Sequence, residues 1–253
     1  MVAPRRPNLA RWPKKGSGLG LKSILKESAG RAASIARPPP YPPRDSVSRG
    51  AGQGVLVIPG FLTGDSTTTR LRTFLWRSGY HAEGWQCGIN LGPRSKPILR
   101  LKRRVEKLAD LTGGKVVLAG VSLGGVFARE VAKMMPERVA GVVTLCSPVR
   151  LPVPTPLAPF VTALRRSFDK GLVEGALGEP VMPSQPLLAI YSRDDGIVDW
   201  TSCVPPVMRN VTALEIPGGL HMTIGSNPLA HVALGAFLAR VFPQREGDDL
   251  SRR

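Results

Sequence analysis

The chain has 253 residues, enough for one or two compact domains with a sizeable core, and its 42% hydrophobic and 21% charged side chains strike an ordinary globular balance. That excludes a peptide scaffold dependent on metals or staples. Lys and Arg outnumber Asp and Glu by 35 to 18, a formal +17 that would suit a polyanion partner if it were spread evenly.

It is not evenly spread. Residues 1–50 hold 11 basic and 2 acidic side chains, and 51–253 hold 24 and 16. The same first fifth carries 8 of the 25 prolines, among them Pro38, Pro39, Pro40, Pro42 and Pro43, which read as an extended linker. Residues 1–50 are therefore expected to be a basic, Pro-rich, largely disordered tail. A second reading puts Leu21, Ile24, Leu25, Ala29, Ala32 and Ala36 on one face of a helix bearing Lys22, Lys26 and Arg31, suited to weak association with an anionic membrane surface. No run reaches the roughly 18 apolar residues of a membrane span, and no apolar stretch of signal type follows the basic start. Cys87, Cys146 and Cys203 are too few and too scattered for a disulfide framework or a zinc knuckle. A reducing, cytoplasmic setting with peripheral membrane contact at most is the expectation.

From Gly54 the texture changes. Val55-Leu56-Val57-Ile58, stopped by Pro59-Gly60, reads as a strand buried on both faces. A helix from about Ser66 to Ser78 and a short strand at Tyr80–Gly84 follow. Over Pro97–Leu111 the residues Ile98, Leu101, Val105 and Leu108 form a helical stripe. Its basic residues, Arg100 to Arg104 and Lys107, read as solvated surface, because no aromatic interleaving or nucleic-acid motif accompanies them. No specific nucleic-acid partner is expected. Val116–Ala119 is a strand, Val126–Met134 a helix, and Val139–Leu145, Pro186–Tyr191 and Ala213–Ile216 are further strands. The alternation argues for an α/β fold with a mainly parallel central sheet flanked by helices, over 51–244. Residues 148–185, with seven prolines and one short helix near Phe160–Phe168, read as a cap-like insertion. Residues 245–253 are a polar C-terminal tail.

Chemistry concentrates in Gly120-Val121-Ser122-Leu123-Gly124, a G-x-S-x-G run between a predicted strand and a predicted helix. Such an elbow presents the serine on a sharp turn at the carboxyl edge of a sheet, where the glycines let strand and helix approach. Serine is a weak nucleophile without a base, so a histidine and then an acid are required, in the chain order Ser, Asp or Glu, His. Of His81, His221 and His231, only His221 both follows the serine and lies in a loop at a strand end. Asp194, Asp195 and Asp199 all follow the strand ending at Tyr191. Asp195 is favoured, with Asp194 as its alternative, because Ile197-Val198 can anchor the segment beyond it. The oxyanion needs backbone N–H donors, one from Leu123 and one from Phe61 after the first strand.

Together with I-P-G-F, G-W-Q-C-G-I-N-L-G-P, Y-S-R-D-D-G-I-V-D-W and G-G-L-H-M-T-I-G-S-N-P, these residues make 54–240 similar to the α/β-hydrolase superfamily and its bacterial esterase/lipase-like branch. Pro59 departs from the histidine that many relatives carry before this glycine. The resemblance implies an α/β-hydrolase fold and a serine hydrolase cleaving carboxylic esters through Ser122, His221 and Asp195, with no metal or organic cofactor. Its partner would be a small-molecule ester, with an apolar acyl group suggested by the composition of 148–185. Acyl transfer or thioester hydrolysis would use the same triad. A non-catalytic binder delivered by its basic tail is the reading from another class.

Overall fold

The computed structural model describes residues 19–149, 153, 155–157 and 181–243. Six strands form one sheet: β1 (Gly54–Ile58), β2 (His81–Gly84), β3 (Val116–Val121), β4 (Val139–Leu145), β5 (Leu187–Tyr191) and β6 (Val211–Glu215). Their order is β2-β1-β3-β4-β5-β6 and every neighbouring pair is parallel. Parallel strands need long crossovers: the helices α2 (Thr69–Arg77), α3 (Ser95–Thr112) and α4 (Leu123–Met134) make those from β1 to β4, the one from β5 to β6 carries only the 3₁₀ turn Trp200–Cys203, and α5 (Pro228–Val241) follows β6. This is the α/β-hydrolase fold.

Strand alternation divides the core in two. Leu56, Ile58, Leu118 and Val142 face the stripe Ile98, Leu101, Val105 and Leu108 of α3, together with α4. Val55, Val57, Val117 and Val143 face Leu71, Phe74 and Leu75 of α2 and Leu234, Phe237 and Leu238 of α5. Successive side chains of a strand point to opposite faces, so both faces must be apolar where helices cover both. The α3 stripe is buried as its spacing predicts, but Arg104 is not simply solvated. It donates to Gly84 O at 3.1 Å and pairs with Glu83, tying α3 to the end of β2.

The described part of the first fifth, residues 19–50, differs from its leading sequence reading and matches the second in forming a helix. Residues 1–18 lie outside the described ones, as do 158–180, with the expected helix near Phe160, and the tail 245–253. Residues 21–36, expected to be largely disordered, form a helix, α1 (Leu21–Ala36). Tyr41 in the following Pro-rich stretch lies 4.5 Å and 4.9 Å beneath the guanidinium groups of Arg70 and Arg77. Hydropathy could not reveal the docking of α1, because the residue it buries is a carboxylate, Glu27. Leu21 and Leu25, candidates for a membrane face, are exposed, while Ile24 packs on Ile197, Val198 and Cys203. No helix among the described residues is long and apolar enough to cross a membrane.

His231 on α5 is wholly buried, stacked on Phe74 at 4.3 Å between ring centroids, with Nε2 hydrogen-bonded to Gly225 O at 2.9 Å. Burial pushes its pKa down from 6.5 to about 4. The unfolded chain therefore takes up this proton at higher pH than the folded one. Stability contributed by the neutral ring is complete above pH 6.5 and is lost as pH falls toward 4, by up to about 3 kcal/mol. Urea unfolding of the wild type and His231→Phe across that window should show the wild type losing stability faster. Parallel losses would refute a neutral buried ring.

Candidate active site

The carboxyl ends of β3, β4, β5 and β6 lie side by side; β3 leads into Ser122, and the segments after β4, β5 and β6 bring Cys146, Asp195 and His221 into one cluster. Ser122 follows β3 immediately with φ 53° and ψ −124°, a conformation rarely adopted by residues with a side chain. The turn is held by Ser122 N–H donating to Leu145 O at 2.8 Å and Gly125 N–H donating to Ser122 O at 2.9 Å. Its glycines are obligatory for space. A Cβ on Gly120 would lie 2.2 Å from the backbone of Gly124, and one on Gly124 would lie 2.3 Å from Ile58 O. The helix therefore begins at Leu123, three residues before its predicted start. As the first residue of α4, Leu123 has an N–H with no acceptor inside the helix.

The turn after β1 packs directly on this elbow: a Cβ on Gly60 would lie 3.2 Å from Ser122 Cβ. Leu62, at φ 59°, spends its N–H on Asn90 O at 2.7 Å. Phe61, just before it in the turn, stands as the candidate donor. Asn90 is fully buried and braces it further, donating from Nδ2 to Pro59 O at 2.9 Å and accepting from Gly92 N–H through Oδ1. The G-I-N-L-G segment carried this residue in the sequence reading, but nothing local showed that its partner would be the turn 31 residues away.

Asp195 and Asp194 separate cleanly. Asp195 is buried, and its Oδ1 accepts from the N–H groups of Ile197 and Val198, each at 2.8 Å. Its Oδ2 meets His221 Nδ1 at 2.7 Å. Asp194 points away, accepting from Gly218 N–H at 2.9 Å and pairing with Lys26 at 3.5 Å. Asp199 caps the 3₁₀ turn Trp200–Cys203 by accepting from Thr201 N–H. Burial raises the Asp195 pKa, but the His221 charge and hydrogen bonds from His221, Val198 and Ile197 hold it below its ordinary value. Burial lowers that of His221, and the charge and hydrogen bond of Asp195, helped by the charge of Glu27, carry it above the usual histidine value. His81, by contrast, is exposed beside Glu83 at 3.3 Å.

Two residues around the Asp195–His221 pair were not found from the sequence. Cys146, at φ 47°, is wholly buried, with its Sγ, an Asp195 oxygen and a His221 nitrogen within 4.8 Å of one another. Such a donor set could hold a soft metal only with the thiol ionised. Burial, followed by the Asp195 charge, pushes that thiol well above its ordinary value, so it stands protonated against the carboxylate. The second is Glu27, whose carboxylate receives backbone N–H groups from the loops holding Asp195 and His221. No G-x-S-x-G-like signal marks either residue.

A lipase from Bacillus licheniformis superposes with a TM-score of 0.58 at 14% identity, covering 80% of this chain and 96% of that one. A lipolytic enzyme from a metagenome gives 0.53 at 20% identity, covering 77% and 95%. An esterase from Thermogutta terrifontis gives 0.51 at 19%, covering 76% and 92%. At these identities the likeness is one of fold. No functionally curated protein matches the chain significantly in sequence. The sequence profile of the alpha/beta hydrolase family matches residues 55–232. That stretch runs from β1 into α5 and takes in both the elbow at Ser122 and the Asp195–His221 pair, so the chain belongs to the alpha/beta hydrolase family.

Proposed function

We propose that the protein is a serine hydrolase of carboxylic esters. The observation that carries this reading is the buried 2.7 Å contact between Asp195 Oδ2 and His221 Nδ1, on the same sheet edge as the strained turn at Ser122. With Nδ1–H donated to Asp195, the lone pair of the neutral ring sits on Nε2, the atom a general base must use. Ser122 Oγ attacks the acyl carbon as its proton passes to Nε2. The N–H groups of Phe61 and Leu123 hold the oxyanion, and its collapse expels the alkoxide, which takes the proton from Nε2. Water then attacks the acyl-enzyme, giving a proton to Nε2 that returns to Ser122 Oγ as the acid leaves. Asp195 stabilises the imidazolium formed in each half.

Hydrolysis of p-nitrophenyl esters of increasing chain length, beside labelling by a fluorophosphonate probe, tests this. Turnover and labelling are expected in the wild type, and both should vanish in Ser122→Ala. No turnover of any ester and no labelling of Ser122 would sink the reading. The base must be neutral to accept a proton, and Asp195 raises its pKa. Activity in kcat/KM should therefore fall on acidification through a limb lying above the ordinary histidine value. A limb at or below that value would contradict the assignment of His221.

A further inference from the structure

A carboxylate taken out of water is costly unless its oxygens are hydrogen-bonded. Glu27 is the buried residue of α1, with no exposure, and its partners lie far from it in the chain. Oε1 accepts from Gly196 N–H at 2.8 Å and from His221 N–H at 2.9 Å, and Oε2 accepts from Met222 N–H at 2.9 Å. Gly196 follows the acid, and Met222 follows the base. One side chain thus grips the backbone of both loops that carry the pair.

The surrounding contacts repeat this. Ser23 Oγ donates to Gly196 O at 2.8 Å, Lys26 pairs with Asp194, and Arg31 reaches Met222 O at 3.5 Å. Ser23, Glu27 and Arg31 recur at i, i+4 and i+8, so they share the face of α1 turned to the two loops. Gly196 itself sits tightly under the helix: a Cβ there would lie 3.0 Å from Glu27 Cγ and 3.1 Å from Ser23 O.

We infer that Glu27 is a positioning residue of the Asp195–His221 pair, supplied by a helix that lies outside the stretch shared with the family profile. The inference rests on the hydrolase reading above. Geometry within a fraction of an ångström separates a productive proton transfer from a poor one, and loops held only by their own turns do not guarantee it. Glu27 holds both loops to one rigid helix. Its charge also acts: among the described residues Asp195 after β5 and Cys146 after β4 lie against the His221 ring, Cys146 stands neutral, and the Glu27 carboxylate, bound at the His221 backbone N–H, acts on the ring through space. Glu27 thereby adds to Asp195 in favouring the imidazolium that forms as Ser122 attacks. A helix that merely packed here would not influence that charge.

Two measurements on the full chain test this. In Glu27→Gln, which keeps the shape of the side chain, kcat on p-nitrophenyl butyrate should fall about 10–100-fold with KM little changed. The acidic limb of kcat/KM should move to lower pH, because a negative charge that favours protonated His221 has gone. Wild-type kcat and an unmoved limb in a folded Glu27→Gln chain would overturn the inference, as would a loss of kcat with the limb unmoved, which a purely structural contact would produce. Hydrogen exchange supplies a readout that needs neither a variant that folds nor any activity. In the wild type the amides of Gly196, His221 and Met222 should be protected to the level of the central strands. Exchange at the rate of exposed loop amides would show that Glu27 does not hold them. Absence of ester turnover and Ser122 labelling in the wild type would instead remove the hydrolase reading, whatever the exchange experiment shows of the Glu27 contacts.

Discussion

Asp195→Asn should lower kcat on a p-nitrophenyl ester by about 10⁴-fold, whereas Asp194→Asn should stay within about fivefold of wild type, the scale of an exposed ion pair. The two residues are neighbours of identical chemistry, so the contrast isolates geometry. With Asn at 195, the amide oxygen can still accept from Ile197 and Val198 N–H, which leaves the NH₂ group against His221 Nδ1. The ring must then accept at Nδ1 and carry its hydrogen on Nε2, where it cannot take the serine proton. Asp194 has no contact with the ring; it holds Gly218 N–H and Lys26 at the surface. Parallel kinetics and circular dichroism on the two variants decide the matter. Equal losses, or a collapse at 194 alone, would remove Asp195 from the role of orienting acid.

Gly120→Ala should be the most damaging single methyl group in the described part of the chain. Its Cβ would lie 2.2 Å from the carbonyl carbon and oxygen of Gly124 and 2.3 Å from Gly125 N, all backbone atoms at the start of a helix packed on the sheet. No rotamer relieves a clash with backbone, so the elbow must open or the strand and helix must part. The expected cost is about 3 kcal/mol or failure to fold. Gly114→Ala adds the same methyl group into open space and should stay within about 0.5 kcal/mol of wild type. Urea midpoints of the two variants measure the difference, and similar midpoints would mean that the elbow is not the close contact described.

Much of the site was legible because it depends on local rules. The aliphatic runs of β1, β3 and β4 announced strands covered on both faces. A serine between two glycines at a strand-to-helix junction has few structural explanations, and chain order with loop placement selected His221 from three histidines. What the spacing could not show was direction. Asp194 and Asp195 differ by one peptide unit, and only the turn that bonds Asp195 Oδ1 to Ile197 and Val198 aims the other oxygen at the imidazole. The α1 apolar pattern did not reveal its docking face for a related reason: Leu21 and Leu25 stay exposed, and the side chain the helix buries is the Glu27 carboxylate.

By itself, then, the sequence determined the sheet-and-helix alternation and the glycine-flanked turn at Ser122, and singled out His221 as the proposed base, all from periodicity, glycine sterics and order along the chain. Tertiary structure alone decided the choice between two aspartates, the neutral Cys146 behind them, and the part played by Glu27. Glu27 and the amides it binds are separated by 169 to 195 residues. Hydrogen bonds across such distances leave no period in the chain, because they are made by the meeting of helix and loops rather than by either one.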